Sequence, residues 1–379
     1  MTDNSVVVST PPHVKSRRTT RSVMLDVIIA LLPCAIAGIV FFGWRAFVIE
    51  AVAVLACVAT EFVYFFILNK GFAKKCKDAG AVCKRWLKQF DFTSIVTGLI
   101  LALILPSTVA WYEVLIGSMF AIAIVKMLFG GTGKNLVNPA SAARVFMAIS
   151  FAISTYVAAN IPALRFESGI FTDATNLAWL FPSEGNPTTK ISVLDLFLGT
   201  GVAGCIGETC KVTILIGYIY LSVRNVIKWW QPLMFIAIFG FAAVFFSGFG
   251  FIATGGYIFD MELFLPHIFS GGVLFGAVFM FPDYVTSPKG VYGQIFYYAV
   301  AAILVAALRY LTKLEVTSFV IILMNLFVPL IDKYFIRRPY GYVKAKKPKA
   351  EKITPESAAE NLIEPVDANA SAAPDKEGK

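Results

Sequence analysis

The densest run of chemically capable residues is Gly130-Gly131-Thr132-Gly133-Lys134-Asn135-Leu136-Val137-Asn138-Pro139-Ala140. Three glycines permit positive φ and let a ligand approach the backbone closely. Asn135 and Asn138 add amide donors and acceptors, and Pro139 suits the first turn of a helix, whose free N–H groups attract anions. The segment reads as a polar, ligand-contacting hinge; its plainer reading is a tight loop joining two helices. Two carboxylates come next. Glu208 lies in Gly204-Cys205-Ile206-Gly207-Glu208-Thr209-Cys210, and Asp283 follows Pro282 at the end of an apolar run. A carboxylate at such a position is expensive unless it faces a cavity or partner, so each is a candidate on an ion path. The structural alternative for Glu208 is pairing with Arg144 or Lys126. Asp26, Glu61 and Lys126 are placed similarly. Cys205 and Cys210 could supply half of an iron–sulfur site with the rest from a partner, but small, buried cysteines packing helices are the favoured reading. No metal site and no structural disulfide is expected, since Cys34 and Cys57 fall in apolar runs and Cys76 and Cys83 in a basic loop.

The elements that hold these residues are membrane helices. The 379-residue chain is 58% hydrophobic and 15% charged, which excludes an ordinary soluble enzyme. A bilayer helix needs roughly 20 apolar residues, and the runs are 24–43, 46–68, 93–107, 111–129, 139–159, 193–223, 231–250, 263–282, 291–310 and 314–335. The expected fold is all-α and integral to the membrane, with about ten transmembrane helices, the third short and the sixth interrupted.

Basic residues mark cytoplasmic loops. Lys15, Arg17, Arg18 and Arg21 precede the first run, and Lys70, Lys74, Lys75, Lys77, Lys84, Arg85 and Lys88 follow the second. Alternation from there places Lys134, Arg224, Lys228, Lys289, Arg337 and Arg338 inside, the 160–190 loop outside, and both termini in the cytoplasm. Arg309 and Lys313 are the exception, a basic excess at an outer loop. The net charge of +9 is thus a topology signal and calls for no nucleic-acid partner. Residues 1–22 read as a cytoplasmic segment without a cleavable signal, 23–336 as the membrane domain, and 337–379, rich in Lys, Glu, Ala and Pro, as a disordered tail.

Val96 to Pro106 echoes Gly272 to Pro282, each an apolar run closed by proline and followed by hydroxyl residues. They fall in the third and eighth runs. Five runs apart means opposite direction, so the expected arrangement is two inverted five-helix repeats with a site at their interface. The 160–190 loop carries Phe171-Thr172-Asp173-Ala174-Thr175-Asn176-Leu177, which taken alone is a hydroxyl-rich turn.

Ser22 to Pro33, Phe41 to Ala46, Gly130 to Arg144 and Gly199 to Glu208 together resemble, in family order over residues 13 to about 335, the D subunits of Rnf electron-transport complexes. That family is shared with the B subunit of the sodium-pumping NADH:quinone reductase. The resemblance implies a membrane subunit of an ion-translocating ferredoxin:NAD oxidoreductase in the bacterial inner membrane, exporting Na⁺ or H⁺. It implies FMN bound covalently through a phosphoester to Thr175, in a motif matched by Thr172, Asp173, Ala174 and Thr175, with Asp173 standing where the family has glycine. Thr175 would be an anchor and not a catalytic base. A second, non-covalent flavin (riboflavin) is implied in some members, with Asn135 and Asn138 as contacts. Implied partners are a second FMN-bearing subunit, iron–sulfur subunits, other membrane subunits and a flavin transferase. Lys126-Met127 replaces the Lys-Glu of the quinone-reductase branch. A solute channel or carrier of inverted-repeat type, or a scaffold without redox function, would share the same helix pattern.

Overall fold

The computed structural model describes residues 18–68, 79–151, 180, 192–200, 202, 204–252 and 261–335, without the side chains of Ala79 and of 248–252. These residues belong to one compact unit, Met1–Ile336; the second, Arg337–Lys379, lies outside them. Among the described residues every regular element is helical.

Helix α1 (Thr20–Phe42) opens with the Thr19 hydroxyl accepting the Ser22 N–H and ends at Gly43, whose φ of 73° reverses the chain into α2 (Trp44–Phe66). Along α1, Leu25, Ile29, Leu32, Ile36 and Val40 are exposed while Asp26, Ala30, Cys34 and Gly38 are buried. An apolar stripe at helical spacing that faces outward, with the polar residue inside, is the pattern a bilayer requires. A short basic helix, α3 (Ala79–Gln89), leads to α4 (Thr93–Leu103). Then come α5 (Trp111–Met119), which widens into a π-helical stretch over Phe120–Met127, and α6 (Pro139–Ser150). The second half holds α7 (Val193–Leu198), α8 (Lys211–Val223), α9 (Trp230–Ile252) and α10 (Phe264–Phe269). It closes with α11 (Val273–Phe275, π-helical on to Met280), α12 (Val291–Thr312) and α13 (Thr317–Tyr334).

Among the described residues, five helices are long and apolar enough to cross a bilayer, or six if the pair bent by 69° between α10 and α11 counts as one span. The expected ten runs therefore divide into full spans and pieces. The third is only the eleven residues of α4, and the sixth is α7 and α8 separated by 199–210. Hydropathy registers apolar length and is blind to whether the backbone stays helical.

Short pieces survive because they complete one another. Where α4 stops, the Leu103 carbonyl accepts the Gly207 N–H at 2.7 Å and the Leu105 carbonyl accepts the Ile206 N–H at 3.1 Å. The break in the first half is thus hydrogen-bonded by the break in the second, as groups without water must be. Close packing comes from glycine. A Cβ on Gly98 would lie 2.8 Å from the Ala53 carbonyl oxygen, so α4 and α2 touch backbone to backbone. Helix α9 packs on α12 as α2 packs on α5, and α1 lies along α8.

Candidate functional site

Two polar centres are built into this bundle, one at the hinge and one at the helix breaks. At the hinge, Gly130, Gly131 and Gly133 have φ of 108°, 88° and 87°, a run of left-handed conformations that only glycine adopts without strain. The chain then enters α6 through Asn138, whose Oδ1 accepts the N–H groups of Ala140 (3.0 Å) and Ser141 (3.3 Å). Its Nδ2 donates to the Met280 carbonyl at 3.4 Å, at the end of α11. The Asn325 amide on α13, turned so that its oxygen accepts the Asn138 N–H (3.0 Å) and its nitrogen donates to the Thr286 carbonyl (3.1 Å), completes the tie. Asn138 is therefore a helix cap with both the oxygen and the nitrogen of its amide engaged. Asn135 differs: its Oδ1 is buried with no partner among the described residues.

Beside the hinge lies an open cavity of about 850 Å³, a figure that includes the solvent at its mouth. Its walls carry Thr93, Thr97, Lys126, Thr132, Asn135 and Asp283, with apolar surface from Val27, Ile100 and Phe279. Asn135 and Asn138 of the hinge and Asp283, distant from them in sequence, line this one space. Glu208 is elsewhere.

Lys126 is 1% exposed. Its ammonium donates to Glu61 Oε1 (3.2 Å), to the Ser94 hydroxyl (2.9 Å) and to the Thr93 hydroxyl, and Ser94 also bonds Glu61. The carboxylate missing beside Lys126 in sequence is supplied by α2. Asp91, in the connection between α3 and α4, accepts from the Thr93 N–H and hydroxyl. Burial alone would raise its carboxyl, but the hydrogen bonds of Thr93 and Thr132 and the charge of Lys126 hold it below the usual carboxylate range. Asp283 accepts from the Val285 N–H (3.3 Å) and the Thr286 hydroxyl (3.0 Å). Here burial prevails and its carboxyl is raised.

At the helix breaks, Glu208 is 5% exposed. Its Oε1 accepts the Cys205 N–H at 3.0 Å, and its Oε2 has no partner among the described residues. Of the two cations offered as its structural partners, Lys126 is held by Glu61, and Arg144 reaches the Cys205 sulfur at 3.7 Å. The Glu208 carboxylate lies against the N-terminal end of one half-helix, α11, and the residue's backbone carbonyl is held from the start of another, α8. Lys211, first residue of α8, donates to the Glu208 carbonyl, and a Cβ on Gly272, at the start of α11, would sit 2.5 Å from Oε2. Helix N-termini carry partial positive charge, and discontinuous helices with such ends at a midplane site are a transporter device.

Sequence reasoning missed the neighbour of this carboxylate. Arg309, 1% exposed, donates to Glu315 (2.6 Å) and to the carbonyls of His267 (2.9 Å) and Ser270 (3.0 Å), and stacks over Phe239 at 5.1 Å. Being internal, it is no loop charge, so the apparent excess of basic residues at that outer loop shrinks to Lys313. Its signal in sequence was position, an arginine within the last turn of an apolar run. Thr172, Asp173, Ala174 and Thr175 lie outside the described residues. No cluster of three or more His, Cys, Asp or Glu suited to a metal occurs among the described residues; there Cys205 is buried and Cys210 half-buried.

Apolar outward faces, broken helices that satisfy each other, and buried charge at the breaks define a multi-pass membrane protein organised around internal polar sites. The chain belongs to the NQR2, RnfD, RnfE family, whose pattern it matches over residues 7–341. It is 38% identical over 353 residues to the D subunit of the Na⁺-translocating ferredoxin:NAD⁺ oxidoreductase complex of Acetobacterium woodii, covering 92% of this chain and 99% of that one. It is 31% identical over 340 residues to the proton-translocating counterpart of Clostridium ljungdahlii (87% and 95% covered). Against the D subunit of the ion-translocating oxidoreductase complex of Stutzerimonas stutzeri it is 32% identical over 358 residues (88% and 95%).

Proposed function

We propose that the chain is the D-type membrane subunit of a bacterial ferredoxin:NAD⁺ oxidoreductase that couples electron transfer to export of Na⁺ or H⁺. The observation that carries this is likeness over nearly the whole length to two relatives bearing that activity in their names, one for each ion. Assembly with other subunits of such a complex, in the inner membrane with both termini cytoplasmic, follows from the same reading.

Two flavins belong to it. Covalent FMN on Thr175, flanked by Thr172, Asp173 and Ala174, is the anchored one-electron carrier on the outer face. The hinge cavity suits the non-covalent flavin: the unpartnered Asn135 Oδ1 offers an acceptor to a ring N–H, and Thr93, Thr97 and Thr132 line it with hydroxyls. Apolar walls of Val27, Ile100 and Phe279 favour a flat ring over water. Asn138 acts indirectly, by fixing the start of α6. When bound, the flavin supplies one- and two-electron chemistry; the protein supplies position and electrostatics. Lys126, neutralised by Glu61, brings an ammonium to the cavity wall without leaving a bare charge.

The ion path runs past Asp283 and Glu208, the two carboxylates beside the hinge cavity and the helix breaks. Two inverted five-helix halves are the architecture proposed around it. Their support is the pairing of α2 with α9, each 23 residues long, and the burial of a basic residue near the end of the fourth helix of each half, Lys126 and Arg309.

The test is the protein co-expressed with its flavin transferase, run on a denaturing gel under ultraviolet light. A fluorescent band that Thr175→Ala abolishes is expected. A dark wild-type band would refute covalent flavinylation and bring the channel or scaffold reading forward.

A further inference from the structure

We propose that α3 is a membrane-surface helix whose basic face binds the headgroups of anionic phospholipids. Over Ala79–Gln89 it carries Lys84, Arg85 and Lys88 and no acidic residue. Three helix ends fix its level. Trp86 meets Phe62, near the end of α2, edge-on at 5.2 Å. Arg21, in the first turn of α1, donates to the carbonyls of Leu87 and Lys88. Only Phe90, Asp91 and Phe92 separate Gln89 from α4, and Phe92, at a φ of 66°, turns the chain there. The helix therefore lies where spanning helices stop, which is headgroup level.

Its faces match that level. Val82 is buried and Trp86 half-buried against the bundle. Cys83 and Leu87, one turn apart, are exposed, Leu87 at 58%. Lys84 and Lys88 form the next ridge, also exposed. A bare Leu–Cys ridge beside a lysine ridge gains nothing in water. At an interface the first enters the acyl boundary while the second reaches phosphates. An acidic protein would also be drawn to the lysines, but a lipid surface accounts for both ridges at once. Each basic residue near an anionic surface strengthens binding about fivefold. This inference is independent of the flavin and ion assignments.

The test uses the full chain in nanodiscs of phosphatidylcholine with and without phosphatidylglycerol, spin-labelled at Cys83 in a Cys76→Ser/Cys210→Ser background, the remaining Cys34, Cys57 and Cys205 being buried. With phosphatidylglycerol, the label should be accessible to oxygen and shielded from a water-soluble nickel reagent. The Lys84→Gln/Arg85→Gln/Lys88→Gln variant should lose that shielding and retain less co-purified phosphatidylglycerol, by about fivefold per charge removed. Lys84→Arg/Lys88→Arg should behave as wild type, separating charge from folding. Equal nickel access in both lipids, or unchanged lipid retention in the triple variant, would overturn the proposal. So would shielding that arises only on adding an acidic protein partner.

Discussion

Neutralising Glu61 tests whether the hinge centre is an internal ion pair as described. In Glu61→Gln the shape is kept and the counter-charge to Lys126 is removed. At 3.2 Å, a pair of unit charges in an effective dielectric of about 20 attracts by about 5 kcal/mol. The Ser94 and Thr93 hydroxyls remain and recover part of this. Stranding one member of a buried pair generally costs about 3–5 kcal/mol, so a loss of about 3 kcal/mol is expected. Reversible unfolding of the purified protein in mixed micelles, titrated with sodium dodecyl sulfate, reads this directly. The double variant Glu61→Gln/Lys126→Met removes both charges and should regain most of the loss, because replacing both partners by uncharged groups of similar volume is often nearly neutral. A Glu61→Gln protein within about 1 kcal/mol of wild type, the usual range of an exposed pair, would refute the reasoning. So would a double variant less stable than the single.

Asn138→Ala deletes the cap of α6 and the donor to Met280; it should cost about 1–2 kcal/mol by the same titration, with α6 exchanging amide hydrogens faster than α4. Asp91→Asn tests the lowered carboxyl. A group whose folded pKa lies below its unfolded value contributes stability above the unfolded value of about 3.9 and loses it as pH falls through the folded one. The wild type should therefore lose stability on acidification through that window, and Asp91→Asn should flatten that part of the profile, measured as unfolding midpoint against pH.

The long spans were legible because a bilayer forces apolar length, and α1, α2, α9, α12 and α13 answer to that rule alone. The breaks were only half legible. Glycine around Glu208 signalled an interruption, but the carbonyls at and just past the end of α4, Leu103 and Leu105, are completed by Gly207 and Ile206, about a hundred positions away. No local pattern encodes that. Pro139 announced the start of a helix, but Asn138, read as a ligand contact, serves as its cap, and the unpartnered oxygen of Asn135 emerged only from the walls around it. Charge was legible in kind and not in pairing. Glu61 and Lys126 both stood out in their apolar runs, yet only the packing of α2 against α5 brings them together. Arg309 was misread because counting loop charges assumes that an arginine near a helix end faces water.

The stitch between the two breaks also constrains how the chain is made. A ribosome delivers Leu103 and Leu105 to the membrane long before Ile206 and Gly207 exist. Until then their carbonyls must keep water, the translocation machinery or a chaperone as company, and α4 has no reason to settle at its final depth. The first half is thus an unfinished object during synthesis. Its insertion is completed from behind, by a segment that has yet to be translated.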